Sequence, residues 1–183
     1  MHFTGRFSGR AWVFGTNINT DLIFPKIWFR PSYRPGEMAE HLMVGLDPEF
    51  PTKVQRGDII VGGLNFGCGS SREEAAGAMK EAGIAAVLAP TFGRLFTRNC
   101  INLGLPVLPV PGIDGHIVRG DELAIDIPAG TLRNLRTGFA TELPPMAPES
   151  LRLIADGGII GYTRRILDER RREAASRSPG STS

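Results

Sequence analysis

The sequence predicts an α/β fold with a β-α-β-α-β core, and three observations carry that prediction. Short apolar runs at 58–63 (DIIVGG), 84–89 (IAAVLA) and 105–110 (LPVLPV) have the length and composition of buried strands. Two helix-like segments, Ser71 to Ala82 and Phe92 to Ile101, alternate with them, which is the order of parallel strands joined by right-handed crossovers. Gly83 and Gly104 stand just past these segments, where a helix C-terminus favours a left-handed residue. At 183 residues, 42% of them hydrophobic, one core can form without disulfide or metal support.

The remaining elements follow in chain order. Arg6 to Phe14 suits a strand, and GTNINTD at 15–21 is rich in loop-forming residues. Residues 25–57 carry Pro25, Pro31, Pro35, Pro48 and Pro51 around one helix-like patch, Glu37 to Val44. A connection of that length inside a small domain usually has a task of its own. Beyond the core, ELAIDI alternates, PAG makes a turn, and TLRNLRTG and FATEL add short strands. Pro148 to Ala155 reads as a helix closed by Gly157 and Gly158. The domain is expected to span 1–169, and the Arg/Ser-rich segment 170–183 is expected to lack stable structure.

Composition excludes several classes. The net charge is +2, but residues 164–183 hold six Arg against Asp168, Glu169 and Glu173, leaving 15 cations and 16 anions in 1–163. A near-neutral body argues against a nucleic-acid partner. No apolar run is long enough for a membrane span or a signal peptide. Cys68 and Cys100 form no CxxC pair, which points to a reducing cytoplasm. His2, His41 and His116 lack the spacing of a metal site, so none is predicted.

One segment carries chemistry: Asn65-Phe66-Gly67-Cys68-Gly69-Ser70-Ser71-Arg72-Glu73-Glu74, between a buried strand and a helix. Ligands of parallel sheets collect at such carboxyl ends of strands. Gly67 and Gly69 allow backbone N–H groups to converge, and a helix start adds free donors, so the expected ligand is an anion. A plain alternative exists, because Ser70 with Glu73, or Ser71 with Glu74, satisfies a capping box. Capping leaves Arg72 unexplained, since a cation in the first helical turn opposes the dipole at about 0.3–1 kcal/mol. Binding a carboxylate or phosphate through its planar guanidinium would explain it. The dinucleotide fingerprint, the P-loop and the GxSxG elbow are all absent.

The run from Gly63 to Val110, together with TDLIFP at 20–25 and GGIIGY at 157–162, resembles the small subunits of 3-isopropylmalate dehydratase, swivelling domains homologous to the aconitase C-terminal domain. The resemblance implies a compact three-layer β/β/α fold. It also implies a hydro-lyase that moves a hydroxyl between adjacent carbons of a malate-type acid through an alkene, as in leucine biosynthesis. An iron-sulfur cluster acts as Lewis acid in that family. Three cysteine ligands are needed and this chain has two cysteines, so no cofactor is expected on it. The cluster is expected on a large subunit, in a heterodimer or heterotetramer.

By the same resemblance Ser70 is the catalytic base and Asp21 lies at the site, while Ser71, Arg72, Arg30, Gly67 and Gly69 bind a small hydroxy-dicarboxylate. A serine base requires a stabilised alkoxide, which Arg72 and the N–H groups would supply. The specificity segment, often Tyr-Leu-Arg-Thr, is Trp28-Phe29-Arg30-Pro31 here, with Lys26 and Arg34 as further cations on the loop. Trp28, Phe29 and Pro31 favour a small apolar substituent. Asn19 stands where relatives have Asp, and Glu74 where they have His. The closest substrate alternatives are homoaconitate, 2,3-dimethylmalate and methylmalate; a different class is a non-catalytic anion-binding module.

Overall fold

A strand that changes partners halfway along organises the molecule. The computed structural model describes residues 4–177. β1 (Arg6–Val13) pairs through Ala11, Trp12 and Val13 with β2 (Ile59–Val61) in parallel. Its first half, Arg6 to Arg10, pairs antiparallel with β5 (Glu122–Asp126). On the parallel side follow β3 (Ala86–Ala89) and β4 (Val107–Pro109); on the antiparallel side follow β6 (Thr131–Asn134) and β7 (Ala140–Glu142). The sheet order is therefore β4-β3-β2-β1-β5-β6-β7.

The three-layer expectation holds, and side-chain alternation explains it. Ile60, Val87, Ala89 and Val107 face a core shared with α3 (Glu73–Glu81) and α4 (Arg94–Asn102), which contributes Ala75, Ala76, Met79, Phe96 and Cys100. Ile59, Val61, Ala86, Leu88 and Leu108 face the opposite way, onto Leu123, Ile125 and Leu132 of β5 and β6. The sheet thus curls so that its antiparallel half covers the second face of its parallel half, giving β on β on α. Lys80 at the end of α3 donates from Nζ to the carbonyls of Leu103 and Gly157, tying both helices to the next connection.

Differences from expectation sit in the connections. The loop expected at 15–21 contains the start of α1 (Thr20–Ile23), capped by Asn19, whose Oδ1 accepts from Leu22 N at 2.9 Å. Only a 3-10 turn, Ala39–His41, forms within Glu37 to Val44, because Met43 takes φ 59 and donates its N–H to the Ile23 carbonyl. α2 (Phe50–Lys53) was not anticipated; Pro51 lies in its first turn, where a missing N–H costs nothing.

α5 (Pro148–Ala155) forms as expected, but α6 (Ile159–Arg177) runs on through the segment expected to lack structure. Arg165 anchors it to Asp156 at 2.9 Å, and within the helix Arg165 pairs with Glu169 at 2.8 Å and Arg171 with Asp168. Those one-turn pairs support helix where composition alone argued against it. The rest of the tail, 178–183, lies outside the described residues, as do residues 1–3 with His2. Among the described residues no helix is long and apolar enough to cross a membrane.

Candidate active site

The turn after β2 is built by two left-handed residues and one buried ring. Asn65 has φ 62 and Gly67 φ 70, the first tolerable for asparagine and the second natural for glycine. Phe66 between them is fully buried and meets Phe92 and Phe96 edge-on. Asn65 Nδ2 donates to Asn17 Oδ1 at 2.9 Å, joining this turn to the loop after β1. Gly67 N–H donates to the Ile18 carbonyl at 2.7 Å. That corrects the anion-donor role expected of Gly67: its amide is engaged, and its service is to let the chain pass Phe96.

The capping alternative also fails. The residue at the N-cap of α3 is Arg72, and no side chain caps it. The helix begins two residues later than expected, so neither serine sits in capping register and Arg72 is not inside the first turn. Ser70 and Ser71 are exposed instead. Arg72 folds back so that its Nε donates to Ser70 Oγ at 3.0 Å. Its Nη2 lies 3.4 Å from Asp21 Oδ1, and its Cζ lies 4.5 Å above the Phe29 ring. One guanidinium thus meets serine, carboxylate and aromatic face.

α1 brings Asp21 to this point. Thr20 N–H donates to the Cys68 carbonyl at 3.0 Å, and Thr20 Oγ1 donates to the Ser70 carbonyl at 3.1 Å. Asp21 Oδ2 lies 3.5 Å from Lys26 Nζ, while Asp21 Oδ1 is buried without a hydrogen bond. Asn99 of α4 donates to Ser71 Oγ at 3.4 Å.

The specificity segment divides. Phe29 faces Arg72, whereas Trp28 stacks on His41 at 3.8 Å and packs against the core. Pro31 is exposed, with no packing role shown. Arg30 does not join the cluster around Ser70: its Nε lies 3.2 Å from Glu37 Oε1, and Arg34 occupies the other oxygen. The Arg34 amide, then the two guanidiniums, hold the Glu37 carboxyl below its usual range. Glu81 of α3 fixes this loop by accepting from Gly36 N at 2.6 Å and Ala39 N at 3.2 Å. Lys26, Glu37, Asn99 and Thr20 contact the candidate site residues without having been assigned to the site from sequence. Thr20 left a signal by lying within the TDLIFP match, and Lys26 as a cation of the loop.

A β/β/α domain with a serine, an arginine and a carboxylate gathered at the carboxyl end of a parallel strand has the architecture of the swivelling-domain class. Residues 32–111 match the Aconitase C-terminal domain family. The chain is 47% identical over 157 residues to 3-isopropylmalate dehydratase small subunit 1 of Methanopyrus kandleri, covering 86% of this chain and 92% of that one. It is 43% identical to the methanogen homoaconitase small subunit of Methanothermobacter thermautotrophicus, covering 90% and 94%. The crystal structure of 3-isopropylmalate dehydratase from Methanocaldococcus jannaschii superposes with a TM-score of 0.83 at 38% identity, over 91% of this chain and 99% of that one. The chain belongs to the 3-isopropylmalate dehydratase small-subunit family.

Proposed function

We propose that this chain is the small subunit of a hydro-lyase that interconverts 2- and 3-isopropylmalate by dehydration and rehydration. The observation that carries the reading is the 3.0 Å contact from Arg72 Nε to an exposed Ser70 Oγ. A charge-assisted donor at that oxygen stabilises an alkoxide and aims it. The alkoxide takes a proton from the carbon beside a carboxylate, hydroxide leaves the adjacent carbon, and the alkene forms. Hydroxide then adds to the carbon that lost the proton, and Ser70 delivers its proton to the carbon that lost the hydroxyl, which restores the alkoxide. Asp21 orients Arg72, while Ser71, the remaining edge of Arg72 and the Gly69 turn bind the substrate's carboxylate.

An iron-sulfur cluster does not fit on this chain. Two cysteines fall short of three thiolates, and Cys100 is buried in the core, where desolvation raises its thiol pKa. The cluster belongs to a large subunit, and the steps above concern only the small subunit's own groups. Cytoplasmic assembly agrees with two free cysteines.

Isopropylmalate leads homoaconitate as substrate because Glu37 already occupies Arg30 and Arg34, while Phe29 and the 82%-exposed Ile27 offer apolar surface. The test is reconstitution with a cluster-loaded large subunit and a panel of isopropylmalate, dimethylmalate, citramalate and homoaconitate. Ser70→Ala is expected to lower kcat by about 10²–10⁴-fold with little change in KM. Turnover by the isolated chain, or a clear preference for homoaconitate, would overturn the reading.

A further inference from the structure

We infer that Thr20 is a positioning residue for Ser70, acting through the backbone of the catalytic turn. This rests on the hydro-lyase reading above. The segments around Asn19 and Cys68 lie side by side as a one-bridge parallel ladder. Its main-chain rungs run from Gly67 N to the Ile18 carbonyl and from Thr20 N to the Cys68 carbonyl. A parallel ladder would next satisfy the Ser70 carbonyl with a main-chain N–H two residues beyond Thr20. That residue is Leu22, and its N–H has turned away into α1, where Asn19 holds it. The Thr20 hydroxyl supplies the missing rung, 3.1 Å from the Ser70 carbonyl oxygen.

Thr20 is 1% exposed, so its hydroxyl is a buried polar group whose one partner is the residue proposed as base. At Gly69 itself the turn is open to movement: its φ is 95, and a side chain there would meet only Asn19 Cβ and Thr20 Oγ1 at 3.7 Å. Thr20 also begins the helix that carries Asp21, so one residue couples the placement of Ser70 to that of the carboxylate facing Arg72. It touches the Ser70 carbonyl and not Oγ, and therefore acts through Ser70.

The test uses the complex with the large subunit and compares Thr20→Val, Thr20→Ala and Thr20→Ser. Loss of the hydroxyl is expected to lower kcat on the order of 10²-fold, the cost of a misplacement near 1 Å. KM should change little, and Thr20→Ser should recover most of kcat because it keeps the donor. Should the valine variant not fold, the alanine and serine variants decide. Hydrogen exchange at the amides of residues 69–71 gives a readout independent of turnover and should accelerate without the hydroxyl. An inactive wild-type complex would count against the hydro-lyase reading, and the exchange data would still judge Thr20. Wild-type kcat in Thr20→Val or Thr20→Ala, failure of Thr20→Ser to recover it, or unchanged exchange would overturn the inference.

Discussion

Replacing Gly67 by alanine separates backbone strain from collision in the catalytic turn. Gly67 has φ 70, and a Cβ there would enter the Phe96 ring and come within 2.7 Å of Phe96 Cβ. A left-handed alanine costs about 1–2 kcal/mol, and forcing carbon into a packed core adds about 1–3 kcal/mol. Gly67→Ala should therefore lose about 2–5 kcal/mol, a large part of the 5–15 kcal/mol of a typical domain. Gly69 has φ 95 but a Cβ there would make only ordinary contacts at 3.7 Å, so Gly69→Ala should lose only the strain, about 1–2 kcal/mol. Urea midpoints at constant slope measure both. Combining Gly67→Ala with Phe96→Leu should give a loss smaller than the sum of the singles, by about 0.5 kcal/mol or more, because the neighbours share the space. Equal losses for the two glycines, or strict additivity with Phe96→Leu, would refute the reasoning.

Arg72→Lys keeps the charge but cannot span Ser70, Asp21 and Phe29 together; kcat/KM should fall about ten- to a hundredfold, matching one charged hydrogen bond of 1.5–3 kcal/mol. Wild-type kinetics would remove it from the site. Glu37→Gln should release Arg30, shifting the homoaconitate to isopropylmalate kcat/KM ratio upward about two- to fivefold, the range of an exposed ion pair. An unchanged ratio would show that Arg30 does not reach substrate. Asp121 is buried, and Arg136, then the Val118 amide and Asn134, hold its carboxyl at about 2 against the opposing effect of burial. Because this folded value lies below the unfolded one near 3.9, its stabilising contribution is complete above about pH 4 and is lost as pH falls toward 2. Asp121→Asn should flatten that part of a plot of urea midpoint against pH, and a curve parallel to wild type would contradict it.

The periodic middle of the chain was legible because its strands are buried on both faces and its helices end at glycines that take left-handed φ, 80 at Gly83 and 76 at Gly104. The connections were less legible, since their shape depends on partners far away in sequence: Met43 turns to reach Ile23, and Arg30 turns to Glu37. Ser70 and Arg72 stood out as chemistry, but their mutual contact required α3 to begin at Glu73, and no local signal chose that start over a serine cap. The part proposed for Thr20 left no local pattern because it rests on a bond across 50 positions of chain.

Helix α3 has a consequence for how this enzyme class can change. Arg72 stands at one end and Glu81 near the other, nine helical residues, or about 14 Å, apart. The first end places its guanidinium on Ser70, the serine proposed as base; the second accepts from Gly36 and Ala39, which close the loop proposed to set specificity. A rigid strut therefore sets the distance between the proposed base and the proposed specificity loop, whose exposed Ile27 and Pro31 can be exchanged while Trp28 and Phe29 are held by packing. On the proposed function, substrate range drifts through those two exposed positions without moving Arg72, whereas any lengthening of the strut would disturb both ends together.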